Sequence, residues 1–233
     1  WRVDLRLRPD PGATAVSIDV DAAIGYYESL ARTWERAAFI RARPVAGDGQ
    51  IAKRFLAQIH PFIWRRTLDY TVMDDMKTML RRPPQSNGWL GYNIKIGKNG
   101  IRQIEFFTHV LQLVAAGREP GLRQHQTAPA LRALAKFDWI TPDQADSLIT
   151  AYHQLRRTEH RIQMLADSQT HSLPRSQSEL AHFANFMGHA EPTDLCAALT
   201  AVQDSIAINA EHKILQSPSD QKANHKNILL DDY

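Results

Sequence analysis

A chain of 233 residues has room for one large domain or two small ones with ample core. Apolar residues make up 43% and charged residues 23%, the balance of an ordinary globular protein, and a net charge of +3 suits an anionic partner while falling far short of a polybasic nucleic-acid tail. Cys196 is the only cysteine, which excludes an internal disulfide and points to a reducing compartment, and neither a membrane-length apolar run nor a signal peptide is visible.

Residues 1–9 alternate strictly between apolar and charged side chains, the period of a strand buried on one face. Val3, Leu5 and Leu7 would face a core, while Arg2, Asp4, Arg6 and Arg8 would project from the other side. One carboxylate among guanidiniums suits phosphoryl or nucleotidyl transfer, since the acid can hold a divalent metal and the arginines can clamp phosphate oxygens. A solvated strand face with mutually neutralising charges has the same pattern. Such a strand needs a sheet to join, so the expectation is an internal piece of a larger protein. The run Pro9-Asp10-Pro11-Gly12 is a dense turn signal, and residues 13–18 can return as a short second strand.

From Asp19 onward helical patterning dominates. Asp19 or Asp21 can cap a helix carrying Ala22, Ala23, Tyr26, Tyr27 and Leu30. Thr33 can cap the next, running toward Arg43, and Pro44 with Gly47-Asp48-Gly49 closes the block. A second block begins near Gln50 with Ile51, Phe55, Ile59, Phe62 and Ile63 at helical spacing, although Pro61 should kink or interrupt it. Further helices are predicted at residues 71–80, 101–116, 128–137, 142–166, 177–187 and 193–216, with a loop at 81–88. Pro142 takes the favoured first-turn position after Thr141. Residues 217–233 read as a polar linker or tail. There is no internal repeat.

Two further constellations could carry chemistry. Lys95, Gly97, Lys98 and Gly100 precede a helix whose first turns carry Arg102 and Glu105. Glycines let amides approach an anion and a helix N-terminus favours negative charge, although the spacing is not a P-loop. The same residues also describe a loop in which Asn99 caps the helix and Glu105 offsets its dipole. On the predicted 142–166 helix, Glu159 falls on the apolar stripe of Leu148, Tyr152, Leu155 and Ile162. A carboxylate there needs a partner, which Arg156 or an arginine of a neighbouring helix could supply. His153 and His160 share a face but lack a third ligand, and no metal is assigned to them. Trp34 and Trp139 read as core or interface aromatics.

Five blocks, in order and at fitting intervals, resemble the glutamine synthetase adenylyltransferase/adenylyl-removing enzymes. They are Arg2-Val3-Asp4-Leu5-Arg6-Leu7-Arg8-Pro9, Thr33-Trp34-Glu35-Arg36-Ala37-Ala38, Arg41-Ala42-Arg43-Pro44-Val45-Ala46-Gly47-Asp48, Gly100-Ile101-Arg102-Gln103-Ile104-Glu105-Phe106 and Leu155-Arg156-Arg157-Thr158-Glu159-His160-Arg161. The likeness spans nearly all of residues 1–215. It implies an α+β, mostly α chain: terminal strands of a polymerase-β-like nucleotidyltransferase sheet within residues 1–48, a helical bundle over 49–216, and a linker or tail at 217–233. The Ile-Arg-x-Ile-Glu-Phe form and Gln169-Thr170-His171-Ser172-Leu173-Pro174 look more like the AMP-removing unit of that family.

The resemblance implies phosphorolysis of AMP-tyrosine on glutamine synthetase to ADP and free tyrosine, with Mg2+ as cofactor. Asp4 matches the third metal-site carboxylate and is the catalytic candidate. Arg6, Arg8, Glu35, Arg36, Arg43, Lys95, Arg102 and Glu105 form the candidate phosphate- and nucleotide-binding set. The implied partners are adenylylated glutamine synthetase, a PII signalling protein, inorganic phosphate and ADP or ATP, in the cytoplasm, with no membrane or nucleic acid. The family's glycine-rich turn with its Ser-Asp-x-Asp acids is absent, so the chain by itself is expected to be inactive. Gln103 stands where the family usually has an acid, and residues 81–89 depart from its helical spacer. Two other classes of reading stay open: a non-catalytic helical module that docks glutamine synthetase or a PII protein, and an RNA-binding helical domain.

Overall fold

A computed structural model describes residues 5, 8–10, 12–65 and 88–211. Eight α-helices are present among the described residues: α1 Val20–Ser29, α2 Thr33–Phe39, α3 Gly49–Ile63, α4 Ile101–Ala115, α5 Thr127–Lys136, α6 Pro142–Ala166, α7 Gln177–Met187 and α8 Pro192–Ile206. A 3-10 turn covers Pro120–Leu122, and α8 continues into a π-helical turn, Ala207–Glu211.

Local chemistry sets most of these boundaries. Asp19 caps α1 by accepting from the amides of Asp21 and Ala22 at 2.9 and 3.3 Å. Thr141 and Gln144 form a reciprocal capping box at the start of α6, with Pro142 in its first turn. Ser176 caps α7, and Gly188 ends it in the left-handed conformation at φ 92°. Thr33 is the first residue of α2 rather than its cap, a place taken by Arg32, and α2 stops at Phe39, short of Arg43. Pro61 does not interrupt α3. It stands in the last turn, where little helix remains downstream to be disrupted, and the Trp64 amide still donates to the His60 carbonyl at 2.9 Å.

Helix α4 is the centre of the fold, with Ile104, Phe107, Val110, Leu113 and Val114 all buried. It packs on α2, α5 and α6, while α6 also contacts α7 and α8. At the other end, Tyr27 of α1 meets Phe39, Phe55 and Phe62 with ring centroids 4.7, 6.1 and 5.7 Å away, which joins α1, α2 and α3. One continuous core runs from Ile24 to Ala210.

The expected sheet remnant is overturned: among the described residues there is no β-strand, and the fold is helical rather than α+β. Residues 13–18 form turns and bends, leaving Val16 68% exposed and Ile18 36% exposed. The Pro9–Thr14 turn folds on itself instead, with the Ala13 and Thr14 amides both donating to the Asp10 carbonyl at 3.0 Å. A strand is held by its neighbours, and among the described residues these find none to pair with. Residues 1–4, 6 and 7 of the expected first strand, with Asp4 and Arg6 among them, lie outside the described residues, as do the helix expected at 71–80 and most of the loop after it. The sole β-type contact described is an isolated antiparallel bridge between Asn93 and Ser172.

Candidate functional site

Helix α6 presents two charged clusters to its neighbours, two turns or about 10 Å apart along its axis. The first is built on Glu159, whose side chain is 2% exposed. Its Oε2 accepts from the Arg156 guanidinium at 2.5 Å, one turn earlier on the same helix. Its Oε1 faces Nδ1 of His171 at 2.8 Å and Nζ of Lys95 at 3.8 Å, but neither meets it at good hydrogen-bond geometry. His160 Nε2 lies 3.3 Å from Arg156, and Gln163 Nε2 lies 3.4 Å from His171 Nδ1. Burial and the Lys95 charge push the His171 pKa below its ordinary value, against the upward pull of Glu159. A neutral His171 leaves Lys95 and Arg156 facing one carboxylate.

Two loops bring these groups together. The Leu173 amide donates to the Tyr92 carbonyl at 2.9 Å, the Ile94 amide to His171 at 3.0 Å, and the Gly91 amide to Pro174 at 2.9 Å. This short clasp carries Lys95 and His171 to the same point on α6.

The second cluster centres on Glu105 of α4. Arg41 donates to Glu105 Oε1 at 3.0 Å and to Thr127 Oγ1 at 2.7 Å, and the Tyr152 hydroxyl donates to Glu105 at 3.4 Å. His109, one turn further along α4, has its pKa lowered to about 3, by burial first and by the Arg41 charge second. His125 Nδ1 lies 2.8 Å from the Ile40 carbonyl, to which it donates. These contacts fix the end of α2 against α4, α5 and α6.

Residues 93–100 do not leave the α4 N-terminus open to an anion. Loop carbonyls already occupy its amides: Ile101 donates to Ile94 at 3.0 Å, Arg102 to Lys95 at 2.9 Å and Gln103 to Gly100 at 3.0 Å. A Cβ at Gly100 would stand 2.6 Å from the Ile94 carbonyl oxygen, and one at Gly97 would stand 2.5 Å from that of Asn93. The glycines therefore serve close backbone packing. Gly100, not Asn99, is the N-cap residue, and Gln103 reaches back to accept from the Asn99 amide at 3.0 Å. This resembles the back-bond of a capping box shifted one residue, to the amide before the cap, and a side-chain amide oxygen accepts it as an acid would.

Two family models match in sequence order. One described as glutamate-ammonia ligase adenylyltransferase matches residues 1–58, and one described as GlnD PII-uridylyltransferase matches residues 73–208, more than half of the chain. A bifunctional glutamine synthetase adenylyltransferase/adenylyl-removing enzyme of Xanthobacter autotrophicus is 51% identical over 203 residues, covering 85% of this chain and 20% of the relative. The chain belongs to this enzyme family. The enzyme of the same name from Brucella melitensis is 46% identical over 216 residues, covering 89% of the chain and 22% of the relative. The Rhizobium meliloti enzyme is 47% identical over 207 residues, with 87% and 21% covered. The chain thus spans about a fifth of the length of the curated relatives it matches.

Within this family framework the candidate residues fall into separate places. Arg36 is fully buried and donates through Nε and Nη2 to the Ile63 carbonyl, both at 3.3 Å, so it satisfies the end of α3. Glu35 accepts from the Tyr26 hydroxyl at 2.9 Å. Arg8 donates to the Leu5 carbonyl at 2.8 Å within the first turn. Arg43 is exposed, and Arg102 lies over the Phe106 ring at 4.8 Å. Lys95 joins Glu159, and Glu105 joins Arg41. Among the described residues no group of three or more acids, histidines or cysteines could hold a metal ion. The pairing of Glu159 with Arg156 was legible from helical spacing, whereas His171 and Arg41 reach their acids only through tertiary folding and were missed. No helix among the described residues is long and apolar enough to cross a membrane.

Proposed function

We propose that this chain is part of an adenylyl-removing unit acting on adenylylated glutamine synthetase. In that reaction an oxygen of inorganic phosphate attacks the AMP phosphorus, the phosphorus–tyrosine oxygen bond breaks, and the tyrosine oxygen takes a proton, giving ADP and free tyrosine. The observation that carries the reading is the ordered pair of matches, an adenylyltransferase model over residues 1–58 followed by the helical model over 73–208. Residues 1–48 would close the nucleotidyltransferase domain and residues 49–216 would form its helical companion.

On this reading Asp4 is one magnesium ligand and Arg6 and Arg8 steady phosphate oxygens, with the remaining carboxylates coming from residues other than those described. The charged clusters on α6 act at a distance from the reaction. They hold the end of α2 and the 93–100 loop against the bundle and so set the position of whatever α1 and α2 support. The test is ADP release from AMP-bearing glutamine synthetase with phosphate and magnesium, by a full-length enzyme containing this segment. Loss of ADP release in Asp4→Asn with glutamine synthetase binding intact supports the reading, and undiminished release refutes it.

A second reading, as a docking module for glutamine synthetase or a PII protein, draws on an exposed apolar group. Met164 is 71% exposed, Leu165 44% and Phe186 41%, close together where α6 and α7 end. Pull-down of either protein by the chain, lost in Phe186→Asp, supports docking, and absence of binding at micromolar concentration counts against it.

A further inference from the structure

Away from the charged clusters, one cavity is built at the scale of a small ligand. It lies between the end of α6, residues 168–175 and α7, with a volume of about 820 Å3, within the range of small-molecule sites. Its floor is apolar, with Ile162, Leu173 and Phe183 all at most 4% exposed. Arg175 and His182, both exposed, also line it and so mark its rim.

The charged side chains around this cavity are not paired with one another. The lining carboxylate, Glu179, is turned to the start of its own helix, where it accepts from Ser176 Oγ at 2.9 Å. Arg175 and His182 make no hydrogen bond or ion pair among the described residues. Arg175 is exposed and its stem runs beside Gly91, where an added Cβ would come within 3.4 Å of Cγ and 3.8 Å of Nε. Gly91 has a φ of +69°, which L side chains rarely adopt, so this seat is kept clear. A guanidinium without an acid is a fork for a carboxylate or phosphate. An apolar floor beneath it takes a hydrocarbon or ring.

We infer that this cavity binds a small organic anion, a carboxylate or monophosphate on an apolar or aromatic body. Arg175 grips the anion, His182 stands at the same rim, and Leu173 and Phe183 take the body.

The test uses the full 15N-labelled chain and two probes, phenyl phosphate and phenylacetate, followed by amide shifts. Saturable shifts confined to residues 162–183, with a dissociation constant of about 1 mM or below for either probe, support the site. The better probe tells phosphate from carboxylate. Inorganic phosphate and benzyl alcohol, each carrying half of the ligand, should bind at least about tenfold more weakly. Arg175→Gln should weaken the aromatic anion about tenfold while leaving distant amide positions unchanged. The inference is overturned by an absence of saturation up to about 10 mM, by equal affinity in Arg175→Gln, or by inorganic phosphate binding as well as the aromatic anions, which would reduce the site to surface charge.

Discussion

Replacing Glu159 with Gln keeps the shape of the side chain and removes the one charge that Arg156, Lys95 and His171 share. The hydrogen bond from Arg156 is charge-assisted, a class worth about 1.5–3 kcal/mol. The penalty for stranding the cations stays below the roughly 3–5 kcal/mol seen when a fully buried pair is broken, because Arg156 and Lys95 are 35% and 34% exposed and can take up water. The expected loss is about 2–3 kcal/mol, which for a domain of this size lowers Tm by roughly 5–10 °C. Urea unfolding followed by circular dichroism measures it, with Arg156→Gln and the double variant completing a cycle that isolates the pair. The coupling should be at least about 1 kcal/mol. A Glu159→Gln chain within about 0.5 kcal/mol of the parent, the range of an ordinary surface change, refutes the reasoning.

Gly100→Ala should destabilise by about 2 kcal/mol or more, since its Cβ would meet three backbone carbonyls at 2.6–3.0 Å, none of them able to swing aside as a side chain would; an equally stable variant in the same urea assay contradicts that packing. His109 is held neutral by burial, so its contribution is complete above its ordinary pKa of 6.5 and is lost as pH falls toward about 3. Relative to His109→Gln, the parent should lose about 2 kcal/mol between pH 6.5 and 4.5, and parallel stability curves would dispose of the assignment. Thr141→Ala removes half of the α6 capping box and should cost about 1 kcal/mol, read as a lower urea midpoint at constant slope; an unchanged midpoint counts against the cap.

The helical part of the fold was legible wherever the signal was local. Pro142 after Thr141 marked the start of α6, and the Ile101 to Ala115 stripe marked α4, because capping and burial periodicity are written within a turn or two of the residues concerned. The sheet remnant was not legible in the same way. Alternation marks a strand only when partner strands exist to complete its hydrogen bonds, and residues 13–18 have none among the described residues. The candidate site shows the same division. Glu159 announced its need for a cation through its place on an apolar stripe, and Arg156 stood one turn away. Lys95 and His171, by contrast, arrive through a clasp between residues 91–94 and 171–174, a pairing across about eighty positions that no window of sequence displays. The 93–100 loop misled for a third reason: glycines before a helix have two physical uses, and only the carbonyl positions tell them apart.

Those carbonyls have a consequence for comparing related chains. Ile94 and Lys95 dock onto α4 by their peptide oxygens, so the start of the helix is met by main chain rather than by the side chains at 96 and 98. Residues 96 and 98 are therefore free to diverge in charge without disturbing the helix start, whereas residue 95 faces Glu159 and positions 97 and 100 are closed to anything larger than hydrogen. Versions of this loop with and without a lysine at position 98 would superimpose. Variation in its charge would then report selection on what the surface meets, and variation at the two glycines would report a different fold of the loop itself.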